Sequence, residues 1–488
     1  YLLFYYSLSG LTADSYQLLA NFDALVMTSG NLSEEPISID NDEAISKLSD
    51  AADAFLVHNR DIFMRADDSV VRNHFLGYKA KPLFIRRSRG YAPEPISLND
   101  DGPEVLGCGA DIKNTFTLTK GSYAIPSQHI GDMENYETVK FFEESLRNLK
   151  TVYSVNPVAV AYDLHPAYLS TKWALSQQSA VSSQQSEEKN SSLITHHSSL
   201  SFFGIQHHYA HIASVMAENG IKRKVMGVAF DGTGYGSDGN LWGSEFLIAD
   251  LEDFKRVGHF KYIPLPGGET AVREPWRTAV SYIKDIAGDE AAHYLEAIGF
   301  LEKYGKDNID NILKIIDNRE FSPLSSGAGR LFDAVSAILG ICDRNTFEGE
   351  AAMALEFSAK EDIDDDYPVD VIFKEKIIVD FSLTMLRLIE DMERGAGNDI
   401  VAAKFHNTIV TVIERVVLKL STIYKLHDAV LSGGVFQNMY LLRNTMDRLR
   451  SIGINAYINE KVPSNDAGIS LGQAYIIRER LKSEKWSS

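Results

Sequence analysis

The chain is poor in cysteine. Its 488 residues include only Cys108 and Cys342. Two cysteines are too few for a disulfide framework or a cysteine-rich zinc site, and such usage suits a reducing cytoplasm. No apolar run reaches membrane-spanning length, so no membrane partner is expected. Positive charge is also scarce: 48 Lys and Arg stand against 67 Asp and Glu, a net charge of −19. A chain this acidic is a poor nonspecific binder of nucleic acid or anionic lipid. An initiating methionine is missing too. The sequence starts at Tyr1, and its first residues match no signal peptide, which reads as a piece of a longer protein. What is present is an ordinary globular composition, 44% hydrophobic, with length for two or more domains.

Residues 204–245 organise the rest. The first half contains QHHYAHIASVMAENG, a helical pattern with Ile212, Val215 and Met216 on an apolar face and Gly220 as its stop. His207 and His211 are four apart, so both imidazoles project from one face. That is the spacing a divalent metal needs from two helical ligands. His208 lies about 100° around the helix and is left out of the pair. A strand at 225–230 then runs into Asp231-Gly-Thr-Gly-Tyr-Gly236. Its three glycines let the backbone turn sharply and aim N–H groups at a phosphate. Taken singly, the histidines read as a polar helix face and the glycines as a hairpin. Their adjacency favours function, because a metal beside a nucleotide phosphate is a recurring catalytic arrangement.

The remaining chain supplies a frame. Residues 1–100 form one block, with strands at 24–27 and 54–57 and a helix at 42–52. Arg60, Arg65, Arg72, Arg86, Arg87 and Arg89 follow. Arginines spaced through strands of an acidic protein point to a polyanion such as ATP. Residues 91–96 and 99–103 read as an interdomain linker. Three strands follow, at 105–108, 116–118 and 123–125. After them come a helix at 136–152, a strand at 158–162, a helix at 166–174 and a strand at 202–205. The order then restarts with strands at 225–230, 245–249 and 257–263, and later a strand and glycine turn at 429–434. Such a repeat is the signature of a duplicated two-lobed α/β fold holding nucleotide in its cleft.

Other segments carry smaller expectations. Residues 176–199 are rich in Ser and Gln and read as a flexible insertion. A helix begins near Pro275. A long helix at 400–426 has Phe405, Ile409, Val412, Val416, Leu420 and Ile423 as its buried stripe, with His406 structural. Asp333, on the polar side of a helix opened by Gly329, is placed to bond a ribose hydroxyl. Gly433 and Gly434 let backbone approach a nucleotide, and Asp466 stands in a loop as a third metal ligand.

In order along the chain, QHHYAH, FDGTGYG, LPGGETAVREPWR, GRLFDA, FEGEAAMALE, SGGVFQN and NDAGISLGQA resemble the HypF carbamoyltransferase family of nickel–iron hydrogenase maturation. TSGNLSEEPI, ADDSVVR and RRSRGYAPEPI resemble the end of that family's YrdC-like domain. GADIKNT, SQHIGDMEN and AYDLHPAY resemble the start of its TsaD-like domain. The resemblance implies a partial YrdC-like α/β domain over 1–100 and a duplicated two-lobed, actin-like (ASKHA) TsaD-like domain over 101–488. It implies a route as well. Carbamate released from carbamoyl phosphate is joined to ATP, giving carbamoyl-adenylate. The carbamoyl group then passes to the C-terminal cysteine of the partner HypE and later becomes a cyanide ligand of the hydrogenase iron.

Carried over by position, His207, His211 and Asp466 match the family's metal ligands, Asp231 is a further ligand, and the metal is iron or zinc. His207, His211 and Asp231 form the catalytic set. Gly232, Thr233, Gly234, Asp333, Gly349, Gly433, Gly434 and Asn438 fall at nucleotide-contact positions. Thr28, Ser29, Asn31, Ser69, Arg72 and Arg87 remain as ATP contacts of the activating domain. Two other functions stand beside this one: an O-carbamoyltransferase acting on a small-molecule hydroxyl, and a nucleotide-binding scaffold without turnover. The family's acylphosphatase domain, its zinc fingers and the start of its YrdC-like domain precede Tyr1. The chain alone is therefore expected to release no pyrophosphate from ATP and carbamoyl phosphate, which a pyrophosphate assay checks.

Overall fold

The computed structural model describes residues 28–32, 35–76, 79–188 and 200–486. Its contacts divide the chain into two units: Tyr1–Ser33 with Ile37–Arg65, and Glu34–Pro36 with Ala66–Ser488. In the first, helix Asn41–Leu48 is capped by Asp40, whose carboxylate accepts the N–H groups of Asp42 and Glu43. Arg65 reaches Glu43 at 3.3 Å and the Ile37 carbonyl at 2.9 Å. Residues 54–57, expected as a strand, pair with no strand among the described residues, and Leu56 is 94% exposed. A short apolar run without a partner strand has no reason to stay extended. The strand expected at 24–27 lies outside the described residues.

The second unit opens with an antiparallel hairpin, β1 (Val70–Leu76) and β2 (Lys79–Arg86). Two sheets follow. The first contains β3 (Ile96–Gly102), β4 (Val105–Gly107), β5 (Thr117–Pro126), β6 (Ala159–Asp163) and β7 (Ser201–Ile205) in the order β3-β5-β4-β6-β7. The second is built on β8 (Val225–Tyr235), β9 (Leu241–Ala249), β10 (Phe254–Phe260), β11 (Asp428–Ser432) and β12 (Asn455–Tyr457), ordered β10-β9-β8-β11-β12. Both orders give two antiparallel pairings and then two parallel ones. The expected duplication is therefore present, with one difference in chain order. The outer antiparallel strand follows its partners in the second lobe and precedes them in the first.

That difference corrects the linker reading. Residues 96–102 are β3, an edge strand that alternates a buried face (Ile96, Leu98) with an exposed one. Its polar stretch Asn99-Asp-Asp-Gly102 looked like a connection because only one side of an edge strand needs to be apolar. The separate strands expected at 116–118 and 123–125 are one strand, β5, continuous through Lys120 and Gly121. Residues 176–188 also differ from expectation: they continue helix Leu169–Glu188. In the long helix Asn398–Tyr424, Phe405, Ile409, Val412, Val416 and Leu420 are buried as expected, but Ile423 is 54% exposed where the helix runs past the core.

Two helices fill the space between the sheets. Every residue of His207–Glu218 is buried, and helix Ile469–Trp486 packs along it. Their apolar side chains join Ile96, Leu98 and Val105 of the first sheet to Val225, Ala229 and Leu247 of the second in one cluster. The helices meet backbone to backbone. A Cβ on Gly472 would stand 1.9 Å from the Ala210 carbonyl oxygen. Nothing flexible can yield there, and forcing atoms into such a contact costs roughly 1–3 kcal/mol or more. Gly472→Ala is therefore expected to lower the chemical denaturation midpoint by at least that much stability. An unchanged midpoint would mean the helices are further apart than described.

Candidate metal and nucleotide site

The site begins at the N-terminus of the central helix. Gln206 caps it, its side-chain oxygen accepting the Tyr209 N–H at 2.9 Å. The first turn therefore starts at His207, and the i, i+4 spacing brings the His207 and His211 rings to 5.1 Å between centroids. Asp231 comes from β8 and Asp466 from a single turn, Asp466–Gly468, just before helix Ile469–Trp486. One ligand atom from each of the four residues lies within 4.8 Å of all the others. His207 Nε2 stands 3.4 Å from Asp231 and 3.6 Å from Asp466, and His211 Nε2 is 3.6 Å from both.

The polar atoms are left unspent. His207 Nε2 and His211 Nε2 are buried and have no hydrogen-bond partner. A buried imidazole nitrogen without a partner is costly, so an orphaned pair facing two carboxylates fits a cation between them. Two imidazole nitrogens and two carboxylate oxygens suit a transition metal such as zinc or iron. The charges agree. Burial pushes both imidazoles down, yet Asp466 and Asp163 hold His207 well above the ordinary histidine value, and Asp231 and Asp466 raise His211. Burial opposes ionisation of Asp231 as well, but His207 and His211 keep it well below the usual carboxylate range. Asp466 is lowered for the same reason.

Surrounding groups aim these ligands. His207 Nδ1 bonds Asp163 at 2.8 Å, at the end of β6. That contact fixes which nitrogen faces the site. The Asp231 Oδ1 atom accepts the Gly434 N–H at 3.3 Å, leaving Oδ2 for the histidines. At the far end of the central helix, Glu218 accepts the N–H groups of Glu460, Lys461 and Val462, which pins the segment leading to Asp466. His208, excluded from the ligand set by its direction, is buried beside Trp242 with its centroid 6.0 Å away. Burial and then the neighbouring His207 and His211 hold it well below the ordinary value, so it stays neutral.

The glycine segment differs from expectation. Gly232, Thr233 and Gly234 are not a loop: β8 runs through them to Tyr235, paired with β9 across a register shift between Phe230 and Gly234. Gly234 is needed because the imidazoles pack on it: a Cβ there would come within 2.6 Å of His208 and 2.8 Å of His207. Gly433, at φ +104°, turns the chain against the Phe230 carbonyl, which would lie 2.1 Å from an added Cβ. Helix Ala328–Ile338 packs on the same part of β8, with Gly327 and Gly329 against Gly232. On this helix Asp333 is fully buried rather than facing solvent, 2.9 Å from Arg330. Both Asp333 carboxylate oxygens, and Arg330 Nε and Nη1, lack hydrogen-bond partners.

The other expected contacts are spread out. Asn438 spends its amide within the fold: its oxygen caps helix Met439–Ser451 and its nitrogen meets His406 at 2.9 Å. That supports the structural role expected of His406. Gly349 sits at φ +77° in an open turn before helix Glu350–Ser358. Thr28, Ser29 and Asn31 fall in the first unit, while Ser69, Arg72 and Arg87 fall in the second. Ser69 bonds the Arg89 carbonyl at 2.9 Å, Arg72 pairs with Glu356 at 2.8 Å, and Arg87 donates to the Tyr91 and Glu94 carbonyls. These three are thus tied into the protein itself. Sequence reasoning missed Asp163 and Arg330 as site residues. Asp163 gave a signal only as the acid of AYDLHPAY, 44 positions before its histidine, and Arg330 as the basic residue of GRLFDA.

A two-lobed α/β protein with an imidazole–carboxylate cluster where the lobes meet defines a class, and comparison with known proteins supplies the family. One family model, described as "Carbamoyltransferase, Kae1-like Domain, second subdomain", matches residues 227–473, and "HypF Kae1-like domain" matches 100–218. A third, Sua5/YciO/YrdC, described as "Telomere recombination", matches 12–88. The chain belongs to the HypF carbamoyltransferase family. Carbamoyltransferase HypF of Synechocystis is 36% identical over 92% of this chain and 56% of its own length. A HypF homolog of Cupriavidus necator is 30% identical over 78% of this chain and 93% of its own length. A solved full-length HypF in phosphate- and nucleotide-bound form matches with TM-score 0.83 and 41% identity, over 93% of this chain and 67% of that one. The chain thus spans a little over half the length of several curated relatives it matches.

The four converging side chains predict a metal content. Purified protein should hold about one transition-metal ion, and His207→Ala with His211→Ala should abolish it, read by elemental analysis. Asp163→Asn should keep the fold but weaken metal affinity by about 10–100-fold, the usual effect of losing a ligand's orienting partner. Equal metal content in the double variant would remove the site.

Proposed function

We propose that this chain moves a carbamoyl group from carbamoyl-adenylate to the thiolate of a C-terminal cysteine on a HypE-type acceptor protein, within hydrogenase maturation. The observation that carries the reading is the convergence of His207, His211, Asp231 and Asp466 around unspent nitrogens. Beside them lie the Arg330–Asp333 ion pair, whose Arg330 Nε and Nη1 and Asp333 Oδ1 atoms make no hydrogen bond, and the Gly433–Gly434 turn. Family membership supports it. ATP and carbamoyl phosphate are the upstream substrates on this reading, with the activating chemistry in the YrdC-like part.

The residues divide the work. Asp333 accepts from a ribose hydroxyl and Arg330 donates to the adenylate. The Arg330 Nε and Nη1 atoms and Asp333 Oδ1 lie outside their mutual ion pair and are available to a ligand without breaking it. A metal held by His207, His211, Asp231 and Asp466 would polarise the carbamoyl carbonyl when bound. The acceptor thiolate forms a C–S bond to the carbonyl carbon. The bond from that carbon to the phosphate oxygen breaks, and AMP leaves with the electron pair. Atoms balance: adenylate and thiolate give S-carbamoyl cysteine and AMP. Neutral His208 and Trp242 close one wall and limit water, which would otherwise hydrolyse the mixed anhydride.

Two measurements test this. Folded, metal-loaded protein given carbamoyl-adenylate should add one carbamoyl mass to a peptide ending in cysteine. Absence of transfer under those conditions would sink the reading. Asp333→Asn, which preserves shape, should weaken adenylate binding by about 1.5–3 kcal/mol, the worth of a hydrogen bond to a charged group, measured by calorimetry. Unchanged affinity would put the ribose elsewhere.

A further inference from the structure

A cavity lies beside the turn that carries Asp466. It measures 210 Å³ and is lined by Val70, Ile85, Arg86, Lys113, His129 and Asp132. One hydrogen bond joins its wall to the turn that carries Asp466, and a second comes from Thr115, two residues beyond the wall residue Lys113. Asn465 donates to the Ile85 carbonyl at 3.1 Å, and Thr115 donates to the Ala467 carbonyl at 2.8 Å. Lys113, two residues before Thr115, is pushed down by burial while Asp466, Asp132 and Asp231 act against that. The cavity therefore shares an electrostatic neighbourhood with two of the four metal-site residues.

Its charge is specific. The Lys113 ammonium is already paired with Glu348, and Asp132 accepts the Lys113 backbone N–H at 2.6 Å. His129 is held down to about 3 by burial, Arg86 and Lys113, so it is a neutral imidazole. Arg86 differs from both: among the described residues no hydrogen bond or ion pair engages its guanidinium. Asp67 is the acid that feels it, and burial raises that carboxyl regardless. Arg86 thus presents unengaged donors beside a neutral imidazole, and arginine's planar fork matches a carboxylate. Asp132 on the same wall repels a phosphate dianion more strongly than a singly charged carboxylate. The volume also lies below the ~300–1,000 Å³ of sites that enclose whole cofactor-sized ligands.

We propose that the cavity walled by Arg86, Lys113 and His129 is a carboxylate subsite that takes the terminal carboxylate of the acceptor chain. The assignment rests on the thiol-acceptor reading above. In a C-terminal cysteine the carboxylate and the thiolate hang from the same Cα. A protein that transfers a group to that sulfur therefore has the carboxylate beside its transfer centre. Holding the carboxylate fixes the sulfur's approach and selects a terminal cysteine over an internal one, which has no such group.

The test uses two synthetic peptides of one sequence ending in cysteine, one with a free carboxylate and one amidated. Each is titrated into the metal-loaded full chain and then assayed for transfer. The free acid should bind at least tenfold more tightly. Arg86→Gln should bring the two peptides within about twofold of each other while metal content and melting midpoint hold. Arg86→Lys should restore part of the preference. Equal affinity for the two peptides in the unaltered protein overturns the subsite, as does a preference that survives Arg86→Gln. Inorganic phosphate binding that depends on Arg86, without a preference between peptides, overturns it in favour of a phosphoryl site. A free-acid preference without any carbamoyl transfer leaves the subsite standing and removes the transfer reading instead. Equal transfer to both peptides does the reverse.

Discussion

One carboxylate holds the site together. Asp231 projects from β8 and uses its two oxygens on different elements. Oδ1 takes the Gly434 amide after β11, and Oδ2 faces both histidines of the central helix. A buried carboxylate is stable only when its partners are in place. Folding of the second sheet, the turn at Gly433 and the seating of the helix therefore support one another. The surroundings follow from this. β8 needs glycine at 234 because the His207 and His208 imidazoles pack against it, and the turn needs glycine at 433 because it touches the strand backbone.

The β8–β9 hairpin is braced from its other side by a second buried charge. Glu245 accepts from the Ser326 hydroxyl at 2.9 Å and from Arg256. Arg256 lies 3.8 Å over the Trp242 ring and reaches Asp238 and Tyr262. Asp238 in turn accepts from Trp242 Nε1 and the Tyr262 hydroxyl, each at 2.8 Å. An aromatic ring, a guanidinium and two carboxylates thus lock the tip of the hairpin whose other strand bears Asp231. A network this closed keeps the ligand strand rigid.

Much of this was legible before any coordinates. The helix at 207–218 announced itself by period, stop signal and histidine spacing, all local. The duplication was legible from the order of strands, because each lobe repeats one topology. What failed was whatever depends on a distant partner. Residues 231–235 looked like a loop because three glycines have no intrinsic strand preference, and only pairing with β9 extends them. β3 looked like a linker because its exposed face is polar. Asp163 had no local mark, since its role exists only through His207. Arg72 and Arg87 looked free because sequence does not show that Glu356 and the carbonyls of Tyr91 and Glu94 engage them.

The position of β3 has a consequence for dissecting this protein. The strand precedes the lobe it completes, pairing Ile96 with Ala124 and Gly102 with Gly121. The buried Arg478 of the last helix donates to the Gly121 carbonyl and pairs with Asp100. A chain begun at residue 101 would leave the outer side of β5 as a row of unpaired backbone groups and Arg478 without one of its two carboxylate partners. Bare strand edges of that kind recruit other chains. Such a fragment would aggregate through a surface that the intact lobe never presents. The natural cut lies ahead of residue 96, inside what sequence alone would assign to the preceding domain.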